Sequence, residues 1–402
     1  MTLDLVGTTA LASLLLFAGY QLRRLVPVLG RLNVPAPVIG GLLAMLALLA
    51  ARIAGVPTAE FDMTLQRPLM IAFFTSLGFA ASFRLLRTGG PQVISFLALT
   101  SAFALLQNSV GALLAVSFGL HPLFGVLAGS VTLTGGPGTG LAFAPLFEQA
   151  GVAAAASIAT ATSMVGIVLG GLLGAPIATV LIERHRLRPA PNASAPGESR
   201  NVDAERHAAA STTAEARRYD ALKGIAAVLI AMWAGSWISA AIQSAGVTLP
   251  PHIGGMLAAG VIRNLDDVTG WLRLPHASID TAGGVSLSVF LVMAMMSLNL
   301  FELSSLALPL IATIAVQSAL VCFACLWPLY RLMGRDYDSA VMCGGFTGFM
   351  LGTTANAMAV MRALVDRYGH APRAFLVVPL VGGFFLDFTN ALIITVSLNL
   401  LA

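Results

Sequence analysis

The chain has 402 residues, of which 57% are apolar and only 10% charged. Soluble domains carry roughly 25% charge, so this composition excludes an ordinary water-exposed fold. The formal net charge is +4, which would suit a nucleic-acid binder, but the placement of the charges below excludes that reading.

Apolar runs predict ten spans, near 5–24, 36–55, 66–83, 92–118, 153–182, 219–244, 251–264, 281–300, 305–331 and 374–400. From Gln92 to Leu120 there is no Lys, Arg, Asp or Glu, and a bilayer core needs about 20 such residues. The first run carries only Asp4 before Arg23. With no basic segment ahead of it and no small-residue cleavage site, it is expected to be a retained helix. Two further apolar stretches, 121–148 and 338–364, are interrupted by glycines and small polar residues and are expected to be re-entrant hairpins. Cys322 and Cys325 form a C-x-x-C inside an apolar run. It is read as two small packing residues one turn apart, with no metal or redox role.

The stretch 184–218 has Pro, Gly, Ser and charges but no apolar face, and is expected to be a flexible linker. It separates two halves, 1–183 and 219–402. If the linker is cytoplasmic, all of the 22 Lys and Arg except Arg52 and Arg67 fall in cytoplasmic segments, and both termini lie outside. The positive-inside rule favours that topology over its inverse, and it accounts for the basic charge without nucleic acid.

The halves repeat in outline. FFTSLGF (73–79) matches MAMMSLN (293–299), Gln107 and Asn108 match Gln317, and each glycine-rich stretch is followed by a short helical segment (141–151 and 355–369). Five spans and one hairpin per half turn the second half upside down. The expected fold is therefore an all-α polytopic membrane protein of two inverted five-helix repeats, an arrangement found in secondary transporters.

The first break is Thr134-Gly135-Gly136-Pro137-Gly138-Thr139-Gly140. The second runs from Gly344 through Gly352-Thr353-Thr354 to Asn356. Backbone freed from helical hydrogen bonding cannot face lipid; it is buried in protein or lines a wet cavity. A short helix starts after each break, and helix N-termini attract carboxylates. Thr134, Gly135, Gly136, Gly138, Thr139, Gly352, Thr353, Thr354 and Asn356 are accordingly candidate substrate contacts, with close helix packing as the plain alternative. Arg362, two turns past the second break, is the nearest cation and is expected at the cytoplasmic edge.

Asp387 lies within the last apolar run, where an aspartate costs roughly 2.5–3.5 kcal/mol on insertion scales and so needs a partner. Asn390 shares its face. Both are candidate substrate contacts, and Asp387 is also a candidate cation ligand. The matching span of the first half offers Thr160, Thr162 and Ser163, whose oxygens suit Na⁺ or equally bond their own helix. The histidines at 121, 185, 207, 252, 276 and 370 fall in loops or at span edges, and no catalytic set occurs in the spans, so an enzyme is not expected. A channel suits two opposed broken hairpins less well than a carrier does.

Five segments together resemble the bacterial sodium/glutamate symporters: PAPVIGGLLAML (35–46), RPLMIAFFTSLGF (67–79), LAGSVTLTGGPGTG (127–140), SLSVFLVMAMMSLNLFEL (286–303) and AFLVVPLVGGFFLDFTNALI (374–393). The resemblance covers essentially the whole chain, and the family's G-G-x-G signature is met by Gly135, Gly136 and Gly138. It implies Na⁺-coupled uptake of L-glutamate across the inner membrane, a homodimer, and an elevator-type alternating-access cycle. It implies Na⁺ as the coupling ion and no cofactor. The alternative left open is an H⁺- or Na⁺-coupled carrier of another acidic amino acid or a di- or tricarboxylate.

Overall fold

The apolar runs become helices wherever they exceed two turns without a glycine-rich interruption, as expected when no water competes for backbone hydrogen bonds. The computed structural model describes residues 2–31, 34–55, 60–88, 90–189, 214–244, 249–296, 298 and 306–401; most of the expected linker, 190–213, lies outside them.

In chain order the main helices are α1 (Leu5–Leu25), α2 (Ala36–Ile53), α3 (Gln66–Ala80), α4 (Gly90–Ser117), α5 (Pro122–Val126), α6 (Gly136–Gln149) and α7 (Ala155–Arg184). They continue with α8 (Ala214–Ser244), α9 (Pro251–Thr269), α10 (His276–Met296), α11 (Ala307–Ala324), α12 (Tyr337–Met350), α13 (Thr354–Tyr368), α14 (Pro372–Leu380) and α15 (Leu386–Leu401). Wider π turns extend α5 over Leu127–Val131, α11 over Cys325–Leu329 and α14 over Val381–Phe385. Asp4 caps α1 by accepting from the Gly7 N–H at 2.8 Å. A two-residue parallel strand pair, β1 (Thr2–Leu3) with β2 (Glu60–Phe61), ties the start of α1 to the loop before α3.

Six helices, α1, α4, α7, α8, α10 and α11 with its extension, are long and apolar enough to cross a bilayer by length and composition. The α14–α15 pair, bent by 41°, brings the number to seven if the two helices are counted as one span. The chain is thus an all-α polytopic membrane protein. The expectation of ten spans is not met by that measure, for local reasons. Helix α3 has 15 residues, about 22 Å of rise against a core of about 30 Å. Helix α9 ends in Arg263, Asp266 and Asp267, which break its apolar run. Helix α2 has only 18 residues.

The helices pack in two groups. In the first, α1 lies on α2, α8 on α9, α2 on α10, and α3 on both α9 and α10. Glycines let these backbones touch: a Cβ on Gly40 would sit 2.3 Å from the Leu15 carbonyl, and one on Gly235 2.3 Å from the Gly255 nitrogen. In the second group, α5 packs on α4, α6 on α7, and α12 and α13 on each other and on α7, with α14 and α15 against α4. Phe96 and Phe103 of α4 meet Phe346 and Phe349 of α12 edge to face. The groups meet where α6 touches α10 and α15 touches α3 and α9. These contacts are apolar. A Cβ on Gly138 would lie 2.8 Å from Leu287 and 3.7 Å from Phe73, and one on Gly260 3.6 Å from Phe388.

Candidate functional site

Both glycine-rich breaks interrupt helices inside the second group, and they face one another. The first spans residues 132–135, between the π turn after α5 and the start of α6. The second is shorter than expected. Helix α12 runs unbroken to Met350, so only Leu351, Gly352 and Thr353 separate it from α13. Gly344, Gly345 and Gly348, assigned to the break on sequence grounds, lie within α12. Their role is packing: a Cβ on Gly348 would sit 2.6 Å from the Ala357 backbone, and one on Gly344 2.9 Å from Leu364. Likewise Gly138, Thr139 and Gly140 lie in the first turns of α6.

Gly136 has φ +69°, a conformation that side chains rarely adopt. A methyl there would lie 3.8 Å from both the Gly352 carbonyl oxygen and Thr353 Cγ2. The N-terminus of α6 and that of α13 therefore adjoin, as the two glycine-rich motifs suggest. The first turn of a helix leaves its N–H groups without intrahelical partners. In α6, Pro137 has no N–H, so Gly136 and Gly138 are the donors. In α13, Thr353 caps the Asn356 N–H at 3.4 Å, which leaves Thr354 and Ala355. Two pairs of backbone donors, backed by two helix dipoles, converge where residues 132–140 and 351–356 carry no charged side chain.

A buried amide network holds the breaks together. Gln107 Nε2 donates to the Met350 carbonyl at 3.2 Å, and Gln107 Oε1 accepts from Thr134 Oγ1 at 2.8 Å. Gln317 Nε2 donates to the Gln107 carbonyl at 2.8 Å. Asn108 Oδ1 accepts from the Ser130 N–H at 3.1 Å. The sequence marks Gln107, Asn108 and Gln317 as polar residues in apolar spans, but their partners are distant in the chain. Asn356, a candidate substrate contact, donates its Nδ2 to the Ile167 carbonyl at 2.7 Å, and Thr354 Oγ1 donates to Gly382 O at 2.7 Å. Asn390 Nδ2 donates to the Ser130 carbonyl at 3.0 Å.

Asp387 stands in the first turn of α15, just past the bend, and is partly buried. Among the described residues it makes no hydrogen bond or ion pair. Thr160, Thr162 and Ser163 are buried on α7, some distance along the chain from either break. Their hydroxyls donate to Ala156, Ile158 and Thr160 carbonyls of their own helix, at 2.9, 2.8 and 3.0 Å. Arg362 is exposed. His252 lies at a span edge, as expected. Although it starts α9, it is buried between Phe74 and Phe143, at ring distances of 4.7 and 4.8 Å, and acts as part of an aromatic wall.

A family model described as sodium/glutamate symporter matches residues 1–370. The chain belongs to the sodium/glutamate symporter family. A sodium/glutamate symporter from Escherichia coli K12 is 38% identical over 402 residues, covering 99% of this chain and 98% of the relative. One from Haemophilus influenzae is 36% identical over 408 residues, covering 100% and 99%.

Proposed function

We propose that this protein carries out Na⁺-coupled uptake of L-glutamate across the bacterial inner membrane by alternating access, with no cofactor beyond the coupling ion. The observation that carries the reading is the meeting of two helix N-termini at paired breaks in a member of the sodium/glutamate symporter family. Each end offers two backbone N–H groups, so one end can take each carboxylate of a dicarboxylic amino acid. Thr134, Gly135, Gly136, Gly138 and Thr139 serve the first end, and Gly352, Thr353, Thr354 and Asn356 the second. Asp387 lies within reach of neither helix end's sequence, yet one turn beyond Gly383, which packs beside Thr354. It is assigned to the substrate ammonium or to Na⁺.

The two halves, 1–183 and 219–402, are inverted repeats carrying hairpins 121–148 and 338–364. Matching packing supports this: α1 on α2 parallels α8 on α9, and α2 on α10 parallels α9 on α3. The first helix group is the fixed scaffold and the seat of the homodimer contacts; the second group carries the site past it. The contact between α6 and α10, with Gly138 against Leu287, is made by apolar groups, which suits sliding. The arginine distribution supports a cytoplasmic linker and periplasmic termini.

Proteoliposomes containing the protein accumulate labelled L-glutamate when an inward Na⁺ gradient is imposed. Equal uptake with choline in place of Na⁺ would refute the coupling.

A further inference from the structure

Beside the first break lie buried oxygens that no protein donor satisfies. Ser130 is fully buried and Asn390 is 1% exposed. Ser130 Oγ and Asn390 Oδ1 receive and make no hydrogen bond, and Gln317 Oε1 is in the same condition. The first two belong to residues already in contact, because Asn390 Nδ2 donates to the Ser130 carbonyl. The chain leaves helical geometry at Gly129 (φ −100°, ψ −126°), immediately before Ser130. Buried polar atoms are ordinarily paired, so a pair of orphans on touching residues needs an explanation.

The chemistry of the site narrows that explanation. The unpaired atoms are oxygens, the preferred ligands of hard cations. Neither the π turn 127–131 nor α15 carries Lys or Arg, so no ammonium competes for the place. Asp387 lies three residues before Asn390 on α15, on a neighbouring face, and brings a carboxylate without a partner among the described residues. The hydroxyls of Thr160, Thr162 and Ser163, by contrast, each donate to a carbonyl of α7.

We propose that Ser130 Oγ and Asn390 Oδ1, with the Asp387 carboxylate one turn away, form a binding site for the coupling Na⁺. The proposal rests on the sodium-coupled reading above. The ion would draw the π turn of the first hairpin onto α15. Six residues later the same chain segment presents the N-terminus of α6 to the substrate, so ion and substrate binding reinforce each other.

The test is Ser130→Ala, which removes only an oxygen that has no protein partner. A purely structural role predicts no loss of stability, since deleting an orphaned buried hydroxyl is neutral or favourable. A ligand role predicts that the Na⁺ concentration giving half-maximal glutamate uptake rises about tenfold or more. The same displacement is expected in the Na⁺-dependent thermal shift of the purified protein, read without transport and against a K⁺ control. Ser130→Thr, which keeps the oxygen, restores both towards wild type. Ser130→Cys, of similar shape but with a soft sulfur, is the second variant and behaves as Ser130→Ala. Wild-type Na⁺ dependence in Ser130→Ala and Ser130→Cys would overturn this site while leaving the coupling intact. Uptake by the unmodified protein that ignores Na⁺ would instead overturn the coupling itself.

Discussion

The two hairpins share a plan and differ in how they are held. In the second, α12 and α13 pack against each other along their length, with Gly348 against Ala357, Gly345 against Met361 and Gly344 against Leu364. In the first, the arms part after the turn: α5 joins α4 through Gly125 and Gly111, while α6 lies on α7 through Gly140 and Ala159. The second hairpin is therefore a self-supporting pair. The first owes its shape to Gln107, Asn108 and Asn390, which reach it from other helices. Backbone contact makes one break stiff, and side-chain amides leave the other adjustable.

Five substitutions would break or sharpen that contrast. The largest effect is expected at Asp387, on the helix that packs against the first hairpin. Asp387→Asn keeps the protein folded and abolishes glutamate uptake in proteoliposomes; uptake at the wild-type rate would remove Asp387 from the site. Next is Gly348→Val, which wedges the second hairpin apart. Overpacking costs about 1–3 kcal/mol, and a lowered thermal unfolding midpoint in detergent checks it. Gln107→Leu acts on the adjustable side, stripping partners from Thr134 and Met350 together. It raises KM for glutamate about tenfold, equivalent to ~1.4 kcal/mol, and Asn356→Leu, which frees one carbonyl, raises it less. A KM ordering the other way round would mean that the amides do not set the first break.

The smallest effect concerns the entry to the second hairpin, where Asp336 caps α12. Burial alone would raise the Asp336 carboxyl, but bonds from the Ser339 side chain and N–H, together with Arg373, hold it below the usual aspartate range. A lowered folded pKa means that its stabilisation is present above about pH 4 and is lost as pH falls through the lowered value. Asp336→Asn should therefore lower the unfolding midpoint by an amount constant from about pH 7 to 5 that shrinks below about pH 4. A difference that grows on acidification would contradict the assignment. The cap itself is worth about 0.5–2 kcal/mol.

The position of each break was legible because proline and clustered glycine stand out in an apolar run. The extent of the second break was not, since Gly344, Gly345 and Gly348 look alike in sequence whether they open a helix or let two helices touch. Only the neighbouring backbone of α13 decides between these. Gln107 and Gln317 were conspicuous, but their partners lie hundreds of residues away, beyond any local pattern. Helices α2, α3 and α9 show the same limit in another way: periodicity marks a helix but does not fix its length against the thickness of a bilayer. The hydroxyls of Thr160, Thr162 and Ser163 had two readings; each donates to a carbonyl of α7, which leaves its oxygen lone pairs open to a cation.

The bend before α15 has a mechanical meaning. Thr354 of the second hairpin holds the Gly382 carbonyl on one side of the bend, and Asn390 holds Ser130 of the first hairpin on the other. The last helix is thus a crank with one hairpin on each arm. A displacement of either hairpin is therefore expected to be felt by the other through this shared bend.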